Sequence, residues 1–354
     1  MIEQPLKVLD MELTNRCNAG CPLCVRTGTF KGGVSRMMEN QGTLDLPFET
    51  FSNMILSTTA LKLDTISYCG TFGDPLMHPD PMQIFVHAAE AGIPQQVINT
   101  NGSIRSKKWW SQLGELPGVR VQFAVDGLSD TNHIYRRFTD FEKIMENAQA
   151  FIDAGGVAEW DYIVFKHNEH QIDEARKLAD DMGFKFFRTK LSTRGFTHNL
   201  RTIIKPYRKR LTDPIEDVTI EASTLPDYWN KKIKQTYTEQ KKVKCKAFYV
   251  FRSLYITPDQ IVLPCCWVHV DWVRNTYPDQ LNKITMKRDG FYEKLIESGV
   301  KYDMKKYSFD EICDSYKSKI DYFKNEWEQR SITMCNSKCS ADFVNEWITD
   351  NVLR

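Results

Sequence analysis

Cys17, Cys21 and Cys24 stand as CxxxCxxC in the segment RCNAGCPLC. Thiols this close along a chain reach a common inorganic centre. Zinc in a structural site takes four protein ligands, and no fourth Cys or His lies within this loop. Three thiolates suit a cubane iron–sulfur cluster with one iron left open; the alternatives are a zinc site or unrelated thiols. An open iron binds an exogenous chelating ligand and so becomes reactive. Cys245, Cys265, Cys335 and Cys339 form a second set that can supply four ligands to one centre, and zinc would accept them as readily as a cluster. Cys266 is an alternative to Cys265, since adjacent strand residues face opposite ways and both do not reach one centre. Cys69 and Cys313 read as small buried hydrophobes, with a catalytic thiol at Cys69 the lesser reading. His167 and His170 in FKHNEH read as a polar loop at a strand end.

These residues need elements to place them. The spacing predicts strands over Val8 to Leu13, Thr65 to Cys69, Gln95 to Thr100, Val119 to Val125, Trp160 to Phe165 and Phe184 to Leu191. Helices are expected between them, over Phe48 to Leu61, Met82 to Glu90, Lys107 to Leu113, Phe141 to Ala154 and Gln171 to Met182. Alternating strand and helix predicts an α/β fold with parallel strands, whose ligand sites lie at the carboxyl ends of the strands. From Ser192 the pattern gives way to a polar, basic segment, expected to be a linker or insertion over 192–240. Beyond Lys241, strands over Phe248 to Ile256 and Ile261 to Pro264 make a hairpin, and FDEICDSYKSKIDYFKNEWEQR reads as one exposed helix.

The 354 residues suffice for one large domain or two packed ones. The 47 Lys and Arg against 46 Asp and Glu leave a formal charge of +1, which gives no support for nucleic-acid wrapping. No apolar run approaches a membrane span and no secretory signal is evident, so a soluble chain in the reducing cytoplasm is expected, where clustered thiols bind metal or do chemistry.

From Lys7 to Leu191 the sequence resembles the radical S-adenosylmethionine superfamily, whose CxxxCxxC loop follows the first strand of a partial (β/α)6 TIM-like barrel. Further motifs fall in the family's order. CGTFGDPLMHP resembles the GGEPLLHP loop, with Gly73, Asp74 and Pro75 in the cofactor-binding positions and Asp74 where Glu is usual. NTNGS resembles the TNG element and offers Asn99 and Asn101. FAVDGLSDTNHIYRR resembles the SIDG…H…R segment of protein- and peptide-modifying members. Ala124 replaces its Ser, so the ribose contact shifts, Asp126 being the candidate, while Arg136 is placed to grip the methionine carboxylate. The second cysteine set resembles the twitch domain, a shortened SPASM domain with one auxiliary 4Fe–4S cluster, although Gln260 stands where that hairpin carries Gly.

The resemblance implies a barrel over 1–191, a basic linker over 192–240 and an α+β twitch domain over 241–354. It also implies two 4Fe–4S clusters, S-adenosylmethionine as cofactor, and flavodoxin or ferredoxin as reductant. The activity implied is hydrogen abstraction by a 5′-deoxyadenosyl radical, followed by oxidation of a small polyol, sugar or peptide side chain with electron transfer to the auxiliary cluster. Peptide epimerisation or cross-linking is the alternative, and the basic run from Arg188 to Arg210 hints at an acidic substrate. Asp74 and Ala124 keep open a reading of another class, a non-catalytic iron–sulfur electron-transfer or scaffold protein.

Overall fold

The computed structural model describes residues 5–27, 41–192, 201–207, 214, 216–225, 245–248, 252–276, 290–329, 335 and 339. Six parallel strands follow one another in space as in sequence: β1 (Val8–Met11), β2 (Thr65–Tyr68), β3 (Gln95–Thr100), β4 (Val119–Ala124), β5 (Val157–Val164) and β6 (Phe186–Leu191). This unbroken order, with no reversal point, is that of an incomplete barrel rather than a doubly wound sheet. Helices α1 (Phe48–Ile55), α2 (Pro81–Glu90), α3 (Lys107–Gly114), α4 (Asn132–Tyr135), α5 (Phe141–Asp153) and α6 (Ile172–Met182) form the connections. Side chains of Asp80, Ser106 and Asp140 accept hydrogen bonds from first-turn amides and so begin α2, α3 and α5.

Alternation along the strands sorts the two faces. On β5, Ala158, Trp160, Tyr162 and Val164 are buried against helices, in a core shared with Trp110, Phe123 and Phe151. The opposite face carries charge into the lumen. Arg188 binds Glu159 (2.5 Å) and Asp161 (2.8 Å), while Arg120 lies 3.4 Å from Glu159 and Lys190 pairs with Asp161. A polar lumen inside an apolar jacket fits a barrel that receives a polar ligand.

The expected linker contains regular structure. Strands β7 (Thr202–Tyr207) and β8 (Glu216–Glu221) pair antiparallel as a separate hairpin; the remainder of 192–240 lies largely outside the described residues. Of the expected strand from Phe248 to Ile256, Phe248 lies in a helical turn and Ser253–Ile256 form a strand, residues 249–251 lying outside the described residues. The strands of the C-terminal hairpin, β9 (Ser253–Ile256) and β10 (Val262–Leu263), join the barrel sheet, β9 running parallel to β1 with Tyr255 beside Asp10. After α7 (His269–Thr276) and α8 (Phe291–Ser298), the predicted single exposed helix is instead two, α9 (Phe309–Ser318) and α10 (Ile320–Glu328). They break at Lys319 and bury Ile312, Tyr316, Ile320, Phe323 and Trp327, so burial of an apolar stripe overrides the polar composition. No helix among the described residues is long and apolar enough to cross a membrane.

Candidate active site at the cysteine loop

The loop carrying Cys17, Cys21 and Cys24 leaves β1 at its carboxyl end and packs against the loops that follow β2, β3 and β4. Asn101 joins three of these: its Nδ2 lies 2.9 Å from Asn18 Oδ1, 2.7 Å from Asp74 Oδ2 and 3.9 Å from Cys17 Sγ. Arg136 Nη1 lies 3.7 Å from Cys21 Sγ and its Nε donates to Asp126 at 2.6 Å. The CxxxCxxC, GDP, TNG and VDG…R segments therefore converge on one place. Asn99, on β3, sits two residues before Asn101 on the same strand end.

The cysteine thiols lie in one another's electrostatic field. Burial, then Asp74 and Cys21, raises Cys17; burial raises Cys21 to about 11 against the pull of Arg136. Such thiols become thiolates only when a metal takes the place of the proton. Three thiols on one loop within reach of one another, with Asn101 and Arg136 beside two of the sulfurs, are a donor set that fits an iron–sulfur cluster bound through three thiolates.

Close approach of loops explains the glycines. A Cβ on Gly73 would fall 1.8 Å from the Thr14 carbonyl oxygen, and one on Gly70 would fall 1.5 Å from that of Gly73. Pro75 opens a 3-10 turn, and the Asp74 side chain caps it through Leu76 N. Asp74 is buried and also accepts from Thr100 Oγ1 (2.9 Å), Asn101 N (2.9 Å) and Asn101 Nδ2 (2.7 Å). Four donors fill a carboxylate's acceptor sites. Asp126 is likewise wholly buried, taken up by Arg136 and the Ile163 amide, so its role in this structure is to orient Arg136. Ala124 pairs with Asp161 on β5, which puts a carboxylate beside the position lacking a hydroxyl.

The second set also assembles. Burial raises the Cys245 thiol, and Cys335, Cys265 and Cys339 raise it further. Cys339 N donates to Cys335 O at 2.9 Å, which holds that pair on one turn. Cys266 lies in the 3-10 turn Cys266–Val268, with Cys265 just before it, so strand alternation does not apply to the pair; Cys266 feels Cys265, Asp10 and Glu12, and Cys69 feels Asp10, Cys266 and Glu12. Gln260 adopts φ +70°, the left-handed turn that glycine favours, and its Oε1 accepts from Thr50.

Residues 11–179 match the model of the Radical SAM superfamily. They form a radical SAM domain. Over 129 residues the chain is 26% identical to the tungsten-containing aldehyde ferredoxin oxidoreductase cofactor-modifying protein of Pyrococcus furiosus, covering 36% of this chain and 33% of that protein. It is 25% identical over 185 residues to a probable GTP 3′,8-cyclase of Aeropyrum pernix, covering 51% and 50%. The chain thus spans half or less of the length of these curated relatives. Among solved structures, Streptococcus suis SuiB bound to S-adenosylmethionine superposes with TM-score 0.51 at 14% identity over 78% of this chain and 67% of that one, a likeness of fold.

Two parts of the site have no counterpart in the motif reading. The β7–β8 hairpin covers the radical SAM domain's cysteine loop, with Ile203, Val218, Ile220 and Ala222 packed on Ala19, Cys21 and Leu23. Its signal was present, since Val218, Ile220 and Ala222 alternate with Asp217, Thr219 and Glu221. The other is Glu12, buried at the end of β1, two of whose partners, Tyr255 and His269, lie more than 200 residues away.

Proposed function

We propose that the chain is a radical S-adenosylmethionine enzyme. The observation that carries this reading is the convergence of Cys17, Cys21 and Cys24 with the Gly73–Pro75 loop, Asn101 and Arg136 at the carboxyl ends of β1 to β4. Cys17, Cys21 and Cys24 would hold a 4Fe–4S cluster, which when bound supplies the electron that cleaves the cofactor to methionine and a 5′-deoxyadenosyl radical. The chain's own residues bind and orient. The Thr14 carbonyl closes on Gly73 and Glu12 takes the Phe72 and Gly73 amides, which fixes this loop beside the cysteine loop, and Arg136, held by Asp126, offers its guanidinium to the methionine carboxylate. The β7–β8 hairpin keeps water and oxygen from the cysteine loop.

Cys245, Cys265, Cys335 and Cys339 would ligate a twitch-type auxiliary cluster, and full ligation by four thiolates suits electron acceptance from a substrate radical rather than substrate binding. The reaction is then oxidation of a small polyol, sugar or peptide side chain, with a flavodoxin or ferredoxin as reductant. The polar, charged lumen supports a hydrophilic substrate. Anaerobic reconstitution followed by iron and sulfide assay tests the ligand sets: about eight iron per chain are expected, falling by about half when Cys335 and Cys339 are both replaced by Ala. Zinc in place of the second complement overturns the twitch assignment.

A further inference from the structure

Glu12 sits at the centre of a buried knot. Its Oε1 accepts from two successive amides, Phe72 N at 2.6 Å and Gly73 N at 2.7 Å. Its Oε2 accepts from the Tyr255 hydroxyl and lies 3.0 Å from His269 Nδ1. The Tyr255 hydroxyl also lies 3.0 Å from Thr71 Oγ1 and 3.2 Å from His269 Nδ1, and the His269 ring meets that of Phe72 edge-on at 5.0 Å. Each of Thr71, Phe72 and Gly73 is thus tied to a group formed by β1 and the C-terminal segment. Glu12 and His269 are each 1% exposed, where a carboxylate persists only if its acceptor sites are filled.

We propose that Glu12 is a positioning residue for the cofactor-binding loop, its carboxylate fixed by Tyr255 and His269 so that the C-terminal segment sets the backbone on which S-adenosylmethionine rests. This rests on residues 70–75 being the cofactor loop. Glu12 touches no ligand itself; it aims two amides that would otherwise turn with a glycine-bearing loop. His269 follows Cys265 by four residues across a 3-10 turn, so the segment that carries the second cysteine set also carries the knot.

The test uses the full chain, reconstituted anaerobically, in variants Tyr255→Phe, His269→Leu and His269→Asn. Hydrogen exchange at the Phe72 and Gly73 amides is measured without S-adenosylmethionine, and affinity for S-adenosylmethionine is measured separately. Exchange about tenfold faster and affinity about tenfold weaker are expected for Tyr255→Phe and His269→Leu, with first-cluster iron unchanged. His269→Asn, whose amide nitrogen reaches the place of Nδ1, restores both. Unchanged exchange in Tyr255→Phe, which alters a single oxygen and leaves packing intact, overturns the proposal, as does an Asn variant no better than Leu. Wild-type protein that binds no S-adenosylmethionine removes the cofactor reading, while the exchange measurement still decides whether Glu12 sets the loop.

Discussion

Asp74 and Asp10 are both aspartates facing the barrel interior, and their surroundings give them opposite consequences. Burial raises both, but Asp74 is answered by donors from Asn101, Leu76 and Thr100, whereas Asp10 is pushed up to about 6 with only Ser67 opposing. Asp74→Asn keeps the shape and turns an NH2 group towards donors. At least two of its donors lose their acceptor, and a loss of about 2 kcal/mol in stability is expected from chemical denaturation. For Asp10 the folded value lies above that of the unfolded chain, so its contribution is full in acid and is lost as pH rises from about 4 to about 6. Asp10→Asn removes that slope. Unfolding midpoints measured across this window should fall for the wild type relative to the variant, and parallel curves would contradict the assignment. Neither difference is legible in the sequence, where only neighbours along the chain can be seen.

The β7–β8 hairpin and the Gly70–Pro75 loop are the elements that confine the cysteine loop. Ile220 is 1% exposed on the hairpin's covered face. Ile220→Ser should leave the barrel folded while opening that face, and the first cluster should bleach several-fold faster in air, followed by absorbance. Gly73→Ala is expected to do more, since a Cβ 1.8 Å from the Thr14 carbonyl forces the cofactor loop away from the cysteine loop and S-adenosylmethionine binding is lost. The β/α alternation was legible because five strand runs are each followed by a helical stripe, three of these helices opened by the capping side chains of Asp80, Ser106 and Asp140. The hairpin was obscured by basic neighbours, and the α9–α10 break by a composition that reads as one polar helix. The cysteine loop was legible from its spacing and the other motif residues from the family resemblance; Glu12 was not, because a single acid at a strand end carries no local mark of partners as distant as Tyr255 and His269.

At the scale of the molecule, the C-terminal hairpin does not stand apart. β9 lies against β1 in the barrel sheet, and the Glu12, Tyr255 and His269 knot lies at this junction, near Cys69 and Cys266. A chain so joined brings two cysteine sets to one structure, as the two spaced groups in its sequence lead one to expect. The charges are near balance over the whole chain and are paired in the lumen too, where Arg120, Arg188 and Lys190 meet Glu159 and Asp161. The most direct test of the whole is cofactor cleavage. Protein reconstituted without oxygen is mixed with dithionite and S-adenosylmethionine, and 5′-deoxyadenosine is quantified by chromatography. Wild-type protein is predicted to form it and the Cys17→Ala, Cys21→Ala, Cys24→Ala triple variant to form none; no product from wild-type protein carrying its full iron complement would contradict the account.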